Sequence, residues 1–343
     1  MGQYVASRER RAVVTTSALG QTGLVVSRIG LGLAALGRPG YMNLGHADDL
    51  RQNYDPAAME ARAHEVLDAA WAAGIRYFDA ARSYGKAEAF LATWLKSRRL
   101  TPESAVIGSK WGYTYTAGWR VDAEKHEVKE HSISKLEHQW CETRTLLGEH
   151  LDLYQIHSAT LESGVLGDEE VLDELARLKE IGIAIGLTVT GSKQPDVIRK
   201  ALTVRRGNDR LFDTVQATWN LLEPSAGPAL QEAHDAGMGV IIKEALANGR
   251  LTERNADPAF AAKRRRLDRE ATARTCTLDA LGLAAAFAQP WADAVLSGAA
   301  TVEHLRSNLA ALSVDGQYIA TALSDIAEPA DEYWNKRAGL KWN

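Results

Sequence analysis

The amino-acid sequence predicts an α/β fold, a (β/α)8 or TIM barrel preceded by an N-terminal β-hairpin. Three observations predict it. Short apolar β-type segments recur near 28–34, 75–81, 104–110, 151–157, 183–189, 213–219, 238–243 and 293–298. Stretches with apolar residues at helical spacing lie between most of them, at 57–73, 132–147, 169–181 and 227–236. Gly74, Gly148, Gly182 and Gly237 each end a helical stretch just before the next strand. Strands alternating with helices make a parallel sheet with crossover connections. Closure into a barrel is the natural solution for so many units. A doubly wound open sheet is the alternative, but Gly30-Leu31-Gly32 runs into Leu33-Ala34-Ala35 and no G-x-G-x-x-G opens the first helix.

In chain order, the hairpin comes first. Residues 12–16 and 23–26 are β-type, and Gly20-Gln21-Thr22-Gly23 supplies the turn between them. Beyond it, three stretches read as inserted loops: 37–54, rich in Gly, Asn and Asp; 111–130, with Tyr113, Tyr115 and Trp119; and 248–274, with the basic run Lys263-Arg264-Arg265-Arg266. That run reads as a solvated helix face rather than a phosphate clamp. In a barrel, loops that follow strands build the face where active sites lie. No Pro- or Ser-rich linker divides the chain, so residues 1–343 read as one domain.

Composition narrows the function. A net charge of -4 in 343 residues gives no large imbalance that would favour nucleic acid or an acidic membrane surface. Cys141 and Cys276 are too far apart for a disulfide framework or a metal cluster. No run approaches the ~20 apolar residues of a spanning helix, and Arg8, Arg10 and Arg11 interrupt any apolar leader. The expectation is a soluble, cytoplasmic protein without nucleic-acid or membrane partners. His126, His131 and His138 lack metal-ligand spacing and read as surface residues.

The chemistry lies where apolar runs stop at a charge. Residues 75–78 run into Asp79, 105–109 into Lys110 and 151–156 into His157, and Tyr84 follows Asp79. An ionisable group at a buried strand end is costly unless paired or used. Barrel closure aims all three strand ends at one mouth. A tyrosine phenol ordinarily titrates at about 10, and a neighbouring ammonium favours its ionised form. An aspartate holds that ammonium charged, and a histidine can polarise a carbonyl oxygen. Such a set is matched to carbonyl reduction or alcohol oxidation.

On these residues the chain resembles the aldo-keto reductases over almost its whole length. The matching segments are Tyr77-Phe78-Asp79-Ala80-Ala81-Arg82-Ser83-Tyr84-Gly85, Gly108-Ser109-Lys110, Asp152-Leu153-Tyr154-Gln155-Ile156-His157, Val215-Gln216-Ala217-Thr218-Trp219-Asn220-Leu221-Leu222, and Ser297-Gly298-Ala299-Ala300 through Asn308-Leu309-Ala310-Ala311. The resemblance implies an NAD(P)H-dependent oxidoreductase that interconverts an alcohol and an aldehyde, ketone or sugar-type carbonyl. Tyr84 is then the general acid, Lys110 and Asp79 lower its pKa, and His157 orients the substrate. Cofactor contacts carry over onto Gln216 at the nicotinamide carboxamide, onto Gly298 and Asn308 at the adenosine half, and onto Gly32. A monomer or weak homo-oligomer is the family default.

The departures from the family pattern are also specific. Thr188-Val189 replaces the usual Ser-Asn, which keeps a hydroxyl and loses an amide. Lys243-Glu244-Ala245-Leu246 replaces Tyr-Ser-Pro-Leu, which removes the usual aromatic stacking and leaves Lys243 or Glu244 to contact the cofactor instead, with Ala245 and Leu246 as further cofactor-side candidates. Ala299, Ala300 and Thr301 stand where a basic residue often meets a 2′-phosphate, leaving His304 and Arg306. NADP(H) is favoured and NAD(H) remains open. These altered positions leave room for a second reading, a nicotinamide-binding regulatory subunit with little turnover. A third, an unrelated barrel hydrolase or lyase using Asp79 and His157, predicts no nicotinamide binding. Trp111, Tyr113 and Trp219 are the candidate substrate walls, with loop packing the other reading for Tyr113. Arg82, Lys86, Arg120, Lys243 and Glu244 favour a polar, hydroxylated or anionic substrate. The tail aromatics Tyr333, Trp334 and Trp342 read as packing onto the barrel.

Overall fold

A computed structural model describes residues 13–343. Eight parallel strands close into a barrel: β1 Ile29–Gly32, β2 Tyr77–Asp79, β3 Val106–Trp111, β4 Leu151–Ala159, β5 Ala184–Val189, β6 Thr214–Thr218, β7 Gly239–Lys243 and β8 Ala294–Ser297. The order around the barrel follows the chain, with β8 beside β1 and β5 beside β6. Most strand residues are buried, because helices cover the outer face and side chains fill the inner one.

The covering helices are α1 Pro56–Ala73, α2 Ala87–Arg98, α3 Ile133–Leu147, α4 Glu169–Glu180, α5 Gln194–Thr203, α6 Gly227–Asp235, α7 Ala261–Ala273, α8 Leu278–Phe287, α9 Val302–Ala310 and α10 Ala330–Ala338. Their ends follow local chemistry. Asp55 accepts the Ala58 N–H at the start of α1, with Pro56 in the first turn, and Gly74 ends that helix at φ 97°. Ser132, Asp168, Thr277 and Thr301 cap α3, α4, α8 and α9 in the same way.

The hairpin pairs Thr16–Ala18 with Val25–Ser27, somewhat later than expected, and Ala12 lies outside the described residues. It closes the barrel floor. Leu19 and Val26 join Tyr77, Val106, Leu153, Ile241, Ala294 and Leu296 in an inner cluster. Gly20 permits this approach, since a Cβ there would lie 2.2 Å from the Gly239 nitrogen.

All three of the expected loops contain regular structure, the first a single helical turn at His46–Asp49. The segment 248–274 holds α7, whose charged residues include the intrahelical pairs Arg264–Asp268 and Arg274–Glu270, with Leu267 and Ala271 buried. Its apolar face is too narrow to register as periodicity. Within 111–130, Tyr113–Tyr115 pairs antiparallel with Glu127–Lys129.

One backbone contact places the loop after β2. Gly37 O accepts the Lys86 N–H at 2.7 Å, and a Cβ on Gly37 would lie 2.2 Å from the Tyr84 backbone carbonyl oxygen and 2.5 Å from Ala87 Cβ. Gly37→Ala is therefore expected to cost about 1–3 kcal/mol of stability through forced displacement. A lowered urea midpoint with an unchanged slope would show it, and an unchanged midpoint would count against this close approach.

Candidate active site

Strand parity explains the centre of the site. Alternate residues of a strand face opposite sides, so Gly108 and Lys110 of β3 point inward while Ser109 and Trp111 point to the helices. Lys110 Nζ donates to the Asp79 carboxylate and to the Ala80 carbonyl at 2.8 Å. The other Asp79 oxygen accepts from Tyr77 at 3.2 Å, Gln155 at 3.2 Å and Gln216 at 3.1 Å. This buried ion pair is thus surrounded by donors, which is what makes its burial tolerable. The Tyr84 ring sits above it, with Lys110 Nζ 4.7 Å and Arg38 Cζ 5.1 Å from its centroid.

His157 reaches the mouth through a bulge in β4. The register with β5 shifts between Ile156 and Ala159, and Ser158 takes φ 56°. The Ser158 N–H donates to Thr188 Oγ1 at 2.7 Å, and His131 Nε2 donates to the His157 carbonyl at 2.9 Å. The His157 ring lies edge-on to Tyr84 at 5.5 Å, with Nδ1 3.4 Å from Ser83 Oγ.

Electrostatics assign protonation states. Burial lowers His157 well below the ordinary range, and the cations Lys110, Arg38 and Lys243 push the same way, so the imidazole is neutral. Burial raises the Tyr84 phenol well above its ordinary value, with Asp79 adding and Arg38 opposing. The expectation that Lys110 and Asp79 lower Tyr84 is corrected here: the ammonium is engaged by Asp79, and desolvation dominates. Burial also lowers Lys110, against the pull of Asp79.

A cavity of about 240 Å³ opens over these groups. Asp79, Tyr84, His157, Tyr113, Arg38, Tyr41, Glu127, Lys243, Glu244 and Arg337 form one part of its wall, and Gly32, Gln216, Ala245, Leu246 and Gly298 another. Burial opposes ionisation of Glu244, but Arg337 and then Lys243 outweigh it and hold the carboxyl down at about 2. A second cavity of about 260 Å³ shares Asn43, Gly249 and Gly298 with the first and adds Ala299, His304, Asn308 and Arg254. Arg254 pairs with Asp49 and lies 3.0 Å from His304 Nε2.

Not every candidate reaches these cavities. Trp111 is fully buried against His131, and Trp219 packs on Trp291 at 5.7 Å. Both have the outward parity of their strands, so the expectation that they wall the substrate site is corrected. Thr188 is on neither wall, its hydroxyl being engaged by the Ser158 backbone. His126 is buried and stacked on Trp342 at 4.1 Å, so it is not a surface residue, and His131 is half-buried against Trp111 with its Nε2 on the His157 carbonyl.

Sequence reasoning missed Arg38, Tyr41, Glu127 and Arg337. The first three sit on loops that follow strands, and that placement was the available signal. Arg337 belongs to α10, beyond the last strand, and nothing in the local sequence marks it. Among the described residues, no group of His, Cys, Asp and Glu could hold a metal, and no helix is long and apolar enough to cross a membrane.

Comparison with known proteins bears on this geometry. A family model described as "Aldo/keto reductase family" matches residues 28–323. The oxidoreductase YqkF of Bacillus subtilis (strain 168) is 26% identical over 314 residues, covering 85% of this chain and 89% of that protein. Pyridoxal 4-dehydrogenase of Microbacterium luteolum is 31% identical over 161 residues, covering 41% and 42%. Among solved structures, the aldo-keto reductase AKR11C1 of Bacillus halodurans in its holo form superposes with a TM-score of 0.70 at 20% identity, covering 92% of this chain and 97% of that one. At that identity the likeness is one of fold.

Proposed function

Because the chain belongs to the aldo/keto reductase family, we propose that it is a nicotinamide-dependent oxidoreductase interconverting a small-molecule carbonyl and its alcohol, with Tyr84 as the acid–base residue. The observation that carries this reading is the convergence of Asp79, Lys110, Tyr84 and His157 at one end of the barrel, at the cavity over the strand ends.

The cleft fits an elongated dinucleotide. Two cavities run together at Gly298, where a Cβ would meet open space, and the buried Asn248 Oδ1 lines the first with no protein partner. Gly32, Gln216, Ala245 and Leu246 would hold the nicotinamide half, and Ala299, His304 and Asn308 the adenosine half. NADP(H) is favoured over NAD(H) because His304 and the Asp49-paired Arg254 bring basic side chains to the second cavity. When bound, the reduced cofactor supplies the hydride.

The protein's part is the proton. Burial keeps the Tyr84 phenol protonated at neutral pH, which is the form that donates to a carbonyl oxygen. Neutral His157 donates a hydrogen bond to the same oxygen and fixes its direction. The Lys110–Asp79 pair holds the floor beneath the phenol, and Arg38 is the cation that opposes the charge left when the proton departs. Reduction therefore starts from the protonation state the site already prefers, whereas oxidation requires phenolate.

The test is cofactor consumption with NADPH and NADH against a panel of aldehydes and ketones. At saturating carbonyl compound, kcat for reduction is expected to stay level from about pH 6 to about pH 9, and the reverse oxidation to climb with pH. Tight cofactor binding with no turnover would move the protein to the regulatory-subunit reading. Absence of any nicotinamide binding would overturn both.

A further inference from the structure

The charges around the first cavity do not balance. Arg38 is paired with Glu127 and Arg337 with Glu244, while Lys110 beneath is paired with Asp79. Among the described residues lining this cavity, Lys243 is the one cation without a carboxylate in salt-bridge range. It ends β7 with the inward parity of Ile241, opposite Thr218 in the register. Its ammonium donates to Thr218 Oγ1 at 2.8 Å, and that hydroxyl in turn donates to Glu244 at 2.9 Å. The remaining N–H bonds of Lys243 have no protein acceptor.

A half-buried ammonium with unfilled donors is costly unless a ligand completes it. Burial accordingly draws Lys243 down to about 8, with Glu244 only partly opposing. We propose that Lys243 anchors an anionic group of the substrate, so that the carbonyl compound carries a carboxylate or phosphate close to its reacting carbon. This rests on the reading of the site as a carbonyl reductase. Two further donors stand ready beside it: Arg38 and Arg337 each keep one terminal guanidinium nitrogen out of their ion pairs.

Lys243 is better placed for substrate than for cofactor. The second cavity has its own basic side chains in His304 and the Asp49-paired Arg254, together with the start of α9. Lys243 lies toward α10, with Nζ 5.9 Å from the Trp334 ring, and near enough to His157 to help keep that imidazole neutral. An anion bound there sits beside the proton donor. A neutral analogue leaves the ammonium unpaired, which is the kind of loss that gives strong discrimination.

The experiment compares kcat/KM for matched pairs, 4-oxobutanoate against butanal and glyceraldehyde 3-phosphate against glyceraldehyde, in wild type and Lys243→Met. In wild type one anionic member is expected to exceed its neutral partner by at least about tenfold, the size of one charge-assisted contact. The pair showing the excess tells carboxylate from phosphate. In Lys243→Met, checked for folding by its thermal transition, that ratio falls toward one, and Lys243→Arg restores part of it. Equal or better turnover of the neutral members in wild type overturns the proposal. So does an anionic preference that survives in Lys243→Met, or a fluorescence-measured loss of NADPH affinity in that variant with the ratio unchanged. Failure of the reductase reading shows differently: neither member of either pair is turned over.

Discussion

Tyr84→Phe is expected to lower turnover by about 10²- to 10⁴-fold, the range removed with a general acid, while leaving cofactor affinity within about twofold. The substitution is conservative for structure. The Tyr84 ring is held by the Arg38 guanidinium on one side and the Lys110 ammonium on another, and by the edge of His157, and a phenylalanine keeps all of these contacts. What disappears is the phenolic proton. Steady-state kinetics and quenching of protein fluorescence by NADPH separate the two quantities. If the variant turned over at the wild-type rate, the assignment of Tyr84 would be wrong. If it lost cofactor binding as well, the hydroxyl would have a different role.

The second large effect is on stability. Glu88 is nearly fully buried in the first turn of α2, where a negative charge is favoured by the helix dipole. It accepts hydrogen bonds from Arg82, from Ser109 at 2.5 Å and from Thr143 at 2.9 Å. These partners lie on the Tyr84 loop, on β3 directly before Lys110, and on α3. Glu88→Ala leaves the Arg82 guanidinium partly buried with only the outer partner Glu142, and strands two hydroxyls. Breaking such a pair from one side typically costs about 3–5 kcal/mol. The variant is therefore expected to unfold at much lower denaturant, with Glu88→Gln losing less because the amide still accepts from both hydroxyls. An Ala variant within about 1 kcal/mol of wild type would mean that the network contributes little.

Much of the fold and the centre of the site were legible in the sequence. The alternation of apolar runs with helical stretches is a direct imprint of strands buried on both faces and helices buried on one, so the barrel followed. The strand-end charges stood out because few side chains are costlier to bury. Trp111 and Trp219 were misplaced although the period of two was available: Lys110 and Trp111 are consecutive, so they cannot both face the mouth. Helix α7 was obscured by its charge, since its stability comes from intrahelical ion pairs and a contact between Lys263 and Glu328 rather than from a broad apolar stripe. Trp342 was read as packing onto the body of the protein and does so against His126 and Arg38, whereas Arg337 could not be found locally. Its partner Glu244 is distant in the chain, and only tertiary packing brings the two together at the mouth. The direction of the Tyr84 shift was likewise unreadable, because it depends on how dry the cavity is and not on which charges are nearby.

The joint between Gly37 and the Tyr84 loop is made from backbone alone: Gly37 N–H to Leu33 O at 3.1 Å, Lys86 N–H to Gly37 O at 2.7 Å, and Gly85 facing Gly37 without a side chain. Arg38 and Tyr41, which help shape the cavity, begin immediately after that joint. The Tyr41 side chain can therefore be exchanged without moving the backbone that carries Tyr84, whereas Arg38, whose guanidinium packs on the Tyr84 ring and donates to the Ser83 carbonyl, serves both. Substrate preference and proton delivery are in this sense modular: one can drift through successive replacements while the other is inherited intact, provided the glycine that joins them is kept.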